Sequence, residues 1–242
     1  MAVETARAAE EIRVRGYTVL EQRLSPERVT AMQARFSELL RRKAETEPTN
    51  RGPRRYQMFL PWEAPLADPE LYENAPVLEL VEAVLGPDPA LVYFASDTPL
   101  PGSDYQRVHS DTQLLFPETG LSLPPYGLVL NVPLVDCTEE NGSLELWPGT
   151  HLTPGKADLE RLAPTLPSCR ANLPAGSLLL RDPRVWHRGT PNRSSAPRPH
   201  LALVYTRPWY RFEQAVPTLT RAAFDALSER ARRLLRYAQI EG

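Results

Sequence analysis

A chain of 242 residues, 42% hydrophobic and 24% charged, has the composition of a globular protein able to bury a sizeable core in one domain. Its formal net charge of −2 gives no electrostatic reason to bind nucleic acid or an anionic membrane. Two cysteines, Cys137 and Cys169, cannot make a disulfide framework; the charged first residues lack the apolar run of a signal peptide and no stretch suits a membrane span, so a cytoplasmic protein is expected.

Taken in chain order, Ser25-Pro26-Glu27 marks a helix start, with Ser25 as N-cap, proline in the first turn and an acid near the positive dipole end. Val29, Met32, Phe36, Leu39 and Leu40 then fall at helical spacing, giving one apolar stripe to about Lys43. Residues Glu45 to Pro61, polar and rich in arginine and proline, read as a loop. Within it, Arg51, Arg54, Arg55 and Tyr56 offer a lid for an anionic or polar substrate, against the simpler reading of a solvated loop. A second helix is expected over about Pro76–Leu85, stopping at Gly86.

From Leu91 the texture changes to short apolar runs broken by Pro, Gly and Asn. Strands are expected at Leu91–Ala95, Tyr105–Ser110, Leu128–Leu134, Ser143–Trp147, Ser177–Arg181 and Leu201–Thr206. Asn141-Gly142 signals a tight turn between two of them. Beyond Pro217 the pattern returns to helix, with Ala223, Leu227, Ala231, Leu234 and Leu235 on one side. The fold class is therefore mainly β with flanking helices around a double-stranded β-helix, a jelly-roll or cupin-like core. One domain is expected: helical over 1–88, β-helix core over 89–210, C-terminal helices over 211–242.

The chemistry lies in His109-Ser110-Asp111, answered by His187 within Asp182-Pro183-Arg184-Val185-Trp186-His187-Arg188-Gly189. Two imidazoles and one carboxylate are the facial triad that holds Fe(II) and leaves open positions. Residues i and i+2 of an extended segment point to one side, so His109 and Asp111 can grip one ion while Ser110 faces away. A short pattern of common residues is weak alone. Arg198, eleven positions after His187, strengthens it, because a guanidinium fork suits a carboxylate.

His109-x-Asp111, the run Asn141-Gly142-Ser143-Leu144-Glu145-Leu146-Trp147-Pro148-Gly149-Thr150-His151, His187-Arg188-Gly189, Asn192 and Arg198 together resemble the phytanoyl-CoA dioxygenase family. Gly16-Tyr17-Thr18-Val19-Leu20 followed by Leu24-Ser25-Pro26-Glu27 is similar to that family's opening helix–strand–helix. The resemblance implies an oxygenase whose cofactors are Fe(II), 2-oxoglutarate as co-substrate and O2. It implies His109, Asp111 and His187 as metal ligands and Arg198 as the partner of the distal C5 carboxylate. It couples decarboxylation of 2-oxoglutarate, to succinate and CO2, with oxidation of an unactivated C–H bond. Related halogenases lack the carboxylate ligand, so Asp111 favours hydroxylation, desaturation or ring closure over halogenation.

Asn131 falls where relatives carry a Trp or another neighbour of the co-substrate; Thr98 and Gln106 are further hydrogen-bonding candidates, each with a structural role as the alternative. Gly189 replaces a Ser or Thr of some relatives, so one hydrogen bond to the C5 carboxylate is missing or supplied elsewhere. Tyr93, Tyr105, Phe116, Trp186 and Arg55 are candidates for substrate contact, with Tyr126 and Tyr210 as further aromatic wall residues. His151 reads as a turn residue, His200 as packing, Trp147 and Trp209 as core, and Asp182 with Arg184 as a brace for the loop before His187. The chain is shorter than many relatives, which favours a free small molecule, such as a specialised-metabolite intermediate, over a CoA thioester. A monomer or homodimer is expected, with no nucleic-acid or membrane partner. Two other readings stay open: a non-catalytic metal- or ligand-binding barrel, and a zinc hydrolase using the same three ligands, in which Arg198 would be idle.

Overall fold

The computed structural model describes residues 2–153, 157–211 and 216–242. Helix α1 (Ala2–Arg15) leads into strand β1 (Tyr17–Leu20), and helix α2 (Pro26–Thr46) starts at the expected cap, Ser25 accepting from the Arg28 backbone N–H. Val29, Met32, Phe36 and Leu40 of α2 are buried. The stretch read as a loop from Glu45 to Pro61 instead contains strand β2 (Arg55–Phe59). Tyr56 and Met58 face the apolar core shared with α2, while Arg55 and Gln57 point to the other side. Arg55 is buried and Gln57 half-buried on that side, so polar composition here does not mean a solvated loop. A short helix α3 (Pro69–Tyr72) precedes α4 (Ala75–Leu85), which Asn74 caps by accepting from Val77 N–H and which ends at Gly86.

Strands β3 (Ala90–Pro99), β4 (Gly127–Pro133), β5 (Leu144–Trp147), β6 (Cys169–Ala171), β7 (Leu178–Arg181), β8 (Trp186–Arg188) and β9 (His200–Thr206), with a small helix α5 (Leu159–Leu162), build the centre. The major sheet runs β1-β7-β4-β9-β3-β2, antiparallel throughout. A smaller antiparallel sheet runs β6-β5-β8. The helical first third thus supplies both edge strands of the major sheet, β1 and β2. The expected strand Tyr105–Ser110 is an irregular edge: Gln106 N–H bonds Gly189 O at 2.9 Å, and only His109 forms a bridge, with His187. Asn141-Gly142 closes a loop between the two sheets rather than a two-residue hairpin. Asn141 Oδ1 accepts from Thr138 N–H at 2.8 Å and its Nδ2 donates to Asp136 O at 2.7 Å.

Alternation along the major sheet separates two environments. Leu128, Leu130 and Val132 of β4, Leu178 and Leu180 of β7, and Leu201, Leu203 and Tyr205 of β9 join Ile12, Phe36, Leu78 and Leu80 in one core. Each such side chain contributes about 1.5–3 kcal/mol on full burial. The intervening Val129, Asn131, Arg181, Ala202 and Val204 face a cavity whose opposite wall includes Leu144 of β5 and His187 of β8. The C-terminal segment, expected as helix alone, opens with β10 (Thr218–Thr220), continues through α6 (Arg221–Asp225) and α7 (Glu229–Leu234), and closes with β11 (Gln239–Glu241) parallel to β10. Ala231, Leu234 and Leu235 join the main core as the helical spacing predicts. Among the described residues no helix is long and apolar enough to cross a membrane.

Candidate functional site

The backbones of His109 and His187 exchange hydrogen bonds of 3.0 and 2.9 Å, and the Asp111 N–H donates to Pro183 O at 2.8 Å. The His109–Asp111 stretch therefore lies extended along the segment that carries His187. Ser110 turns away, its hydroxyl donating to Thr112 O at 3.0 Å. Asp111 Oδ1 lies 3.4 Å from His187 Nε2 and 3.8 Å from His109 Nε2, and one ligand atom from each residue falls within 4.8 Å of the others. His109 Nδ1 bonds Arg107 O at 2.8 Å and His187 Nδ1 bonds Val185 O at 2.9 Å. A carbonyl only accepts, so each Nδ1 carries a proton and each ring presents Nε2 to the cluster, the atom free to ligate a metal ion.

Burial, and then the neighbouring His187 ring, push His109 down to about 4. Burial alone would raise the Asp111 carboxyl; Arg181 first and then His187 outweigh it and hold Asp111 well below the ordinary carboxylate range. Three potential ligand atoms thus converge within 4.8 Å of one another. Such a set is completed by a cation, and two imidazole nitrogens with one carboxylate oxygen suit Fe(II).

Asn131, Leu144 and His200 border both this cavity and a smaller adjoining pocket that holds Arg198. Arg198 is 1% exposed. Its Nη2 donates to Gly142 O at 2.9 Å, its Nη1 meets His200 Nδ1, and its Nε has no partner. Burial and the Arg198 charge push His200 down to about 3, so its neutral ring accepts from the guanidinium. A buried cation is costly without a counter-charge; one with an unused N–H, reached from the His109–Asp111–His187 cluster past Asn131, suits an anionic ligand. Glycine is required at 142: φ is +88°, and a Cβ would meet Thr190 O at 2.7 Å. Asn192 Nδ2 donates to Pro99 O (3.1 Å) and Ala196 O (2.8 Å), tying down the loop that presents Arg198. At Gly189 a side chain would require the ends of Gln106 and Arg55 to shift. A Cβ there would stand 2.6 Å from Gln106 Oε1 and 2.8 Å from Arg55 Nη1.

The other candidates divide. Asn131, Gln106 and Tyr93 line the cavity. Thr98 does not: it follows Asp97, which does, and so faces the helical layer on the opposite side of β3. Tyr105 is 50% exposed, under the Arg188 guanidinium at 4.3 Å, and Phe116 is 53% exposed; neither lines the cavity. Trp186 adjoins His187 but alternates to the other side, into a cluster with Val108 and Trp147. Arg55 is no lid residue; it is buried and pairs with Asp97 (3.1 Å) and Thr190 O (3.2 Å). Arg51 of the same stretch does reach the cavity wall. Tyr126 is buried and Tyr210 packs edge-on against it at 4.7 Å, and neither lines the cavity. Trp209, read as core, is 62% exposed. His151 is a buried turn residue bonded to Arg13 O at 3.1 Å, and Arg184 chelates Asp182 at 2.9 and 2.7 Å, bracing the approach to His187.

Sequence reasoning missed Arg181, Asp97 and Gln57, all in the cavity wall, and His200 as more than packing. One signal was present: Arg181 ends the otherwise apolar run Leu178-Leu179-Leu180, where a cation needs a buried partner. It has two: Nη2 donates to Asp111 Oδ2 at 2.6 Å and Nε to Asn131 Oδ1 at 3.1 Å.

The model of the phytanoyl-CoA dioxygenase family matches residues 12–200, a span that includes all three donors and Arg198. Solved structures share the fold. AviO1 from Streptomyces viridochromogenes Tue57 aligns over 88% of this chain and 98% of its own at 21% identity and TM-score 0.70. The non-heme alpha ketoglutarate dependent epimerase SnoN from nogalamycin biosynthesis aligns over 88% and 87% at 22% identity and TM-score 0.67. EctD from S. alaskensis, solved with bound Fe, aligns over 87% and 85% at 23% identity and TM-score 0.64. At these identities the likeness speaks for the fold, while the family match spans most of the sequence. The chain belongs to the phytanoyl-CoA dioxygenase family of iron- and 2-oxoglutarate-dependent oxygenases, and is an enzyme.

Proposed function

We propose that this enzyme uses Fe(II), 2-oxoglutarate and O2 to hydroxylate, or otherwise oxidise, an unactivated C–H bond of a free small molecule, with release of succinate and CO2. A specialised-metabolite intermediate is the substrate class we favour, and the cytoplasm the compartment. The observation that carries the reading is the convergence of three lone-pair donors within 4.8 Å at one end of a path that leads to a buried, incompletely paired arginine.

His109, Asp111 and His187 would hold the iron, which when bound supplies the activation of O2. Each protein group has its own part. The carbonyls of Arg107 and Val185 fix the histidine tautomers. Asp111 offers one oxygen, which leaves room for a bidentate co-substrate. Arg198 seats the far carboxylate through charge-assisted hydrogen bonds, with Asn131 and Gln106 along the way. Arg55 and Gln106 take the space a hydroxyl at position 189 would need. The apolar Val129, Ala202 and Val204 keep water from the reacting face. The solved neighbours include an alpha ketoglutarate dependent epimerase and a carbocyclase, so enzymes of this fold carry out reactions other than hydroxylation.

The test is succinate formation against a panel of candidate small molecules, with and without iron. A substrate that stimulates iron-dependent succinate release and gains oxygen or loses hydrogen supports the reading. No iron-dependent turnover of 2-oxoglutarate, with or without any substrate, overturns it.

A further inference from the structure

Arg181 is the group whose placement the metal site does not by itself require. Its side chain is 6% exposed and ends β7, between β1 and β4, where it pairs with Tyr17 and Val129. The guanidinium divides its donors: Nη2 to Asp111 Oδ2 at 2.6 Å, Nε to Asn131 Oδ1 at 3.1 Å, and Nη1 buried without a partner. Asp111 is correspondingly split. Oδ1 faces the two Nε2 atoms at 3.4 and 3.8 Å, while Oδ2 is occupied from behind.

We infer that Arg181 is a positioning residue that keeps Asp111 a one-oxygen ligand, so that the positions 2-oxoglutarate and O2 need stay open; this rests on the metal reading above. A carboxylate beside a dication can bind through either one or both oxygens, and a second oxygen would take a site from the co-substrate. The Arg181–Oδ2 bond is charge-assisted and short. Asn131, on the neighbouring strand, prevents the guanidinium from following Asp111 toward the metal. The same contact links the two ends of the site, because Asn131 also borders the Arg198 pocket. Arg181 acts through Asp111 rather than on the substrate, and its positive charge works against the metal's own binding.

This gives a signature unlike that of a generic structural residue. In Arg181→Met, Mn(II) or Fe(II) affinity is expected to hold or improve. The visible band of the anaerobic Fe(II)–2-oxoglutarate complex should weaken, and 2-oxoglutarate affinity should fall by about ten- to a hundredfold, the size of effect that loss of such a partner usually has on metal affinity or activity, here falling on the co-substrate. Arg181→Lys restores one donor to Oδ2 and should recover most of the band. Circular dichroism and melting check that each variant is folded, and Arg181→Gln replaces the Met variant if that one is not. An unchanged band and 2-oxoglutarate affinity in folded Met or Gln variants overturn the inference. So does a loss of metal affinity in them, or a Lys variant no better than Met. Absence of the band in the unaltered enzyme would instead count against the metal reading itself.

Discussion

The two faces of the major sheet are built from the same strands and obey different rules. On the outer face Leu128, Leu130, Leu201 and Leu203 pack against α1, α2 and α4 in a continuous apolar core. Their contributions are additive, non-directional and tolerant of similar shapes. On the inner face Asn131, Arg181 and His200 stand one residue away from Leu130, Leu180 and Leu201 of that core, almost as deeply buried, yet each is held by a specific polar partner. The outer face sets how stable the enzyme is; the inner face sets whether it can act. Breaking one should leave the other nearly intact.

Substitutions sharpen that separation, beginning with the largest effect. His187→Ala removes one of the three proposed ligands and should abolish metal binding and succinate production while shifting the melting temperature little, since the His109–His187 pairing is made by backbone groups. Calorimetric metal titration and a succinate assay check this; normal turnover would remove His187 from the site. Phe36→Ala, in the outer core at 0% exposure, should cost about 3–5 kcal/mol of stability in denaturant melts, with metal stoichiometry unchanged in the folded fraction. Arg198→Ala should weaken 2-oxoglutarate binding by about 1.5–3 kcal/mol, roughly ten- to a hundredfold, with metal affinity preserved. An unaltered 2-oxoglutarate titration would mean the anchor lies elsewhere. Ser25→Ala removes the α2 cap and should lower stability by about 1 kcal/mol without touching either affinity.

The same division explains what could be read from the sequence. Helix α2 and the central strands are legible because each carries a periodic pattern, and the spacing of His109, Asp111 and His187 is what points to their convergence. Strand β2 is not legible, because Arg55 and Gln57 are polar and yet face inward, so composition resembles a solvated loop. Thr98, a hydrogen-bonding candidate by residue type, turns away from the cavity because Asp97, one residue earlier, is the inward residue of β3. Tyr105, Phe116 and Trp186 were chosen for aromatic character, which says nothing about which way an irregular edge or a three-residue strand turns. Arg181 was overlooked because its counter-charge, Asp111, lies seventy positions away; only the fold brings them together.

The central claim is that three donors and Arg198 form one site for iron and 2-oxoglutarate. It is tested most directly by adding Fe(II) and then 2-oxoglutarate to the enzyme without oxygen and recording the visible spectrum. The account predicts a charge-transfer band that saturates at one equivalent of each and is lost in His187→Ala. A spectrum that stays featureless at saturating iron and 2-oxoglutarate would contradict it.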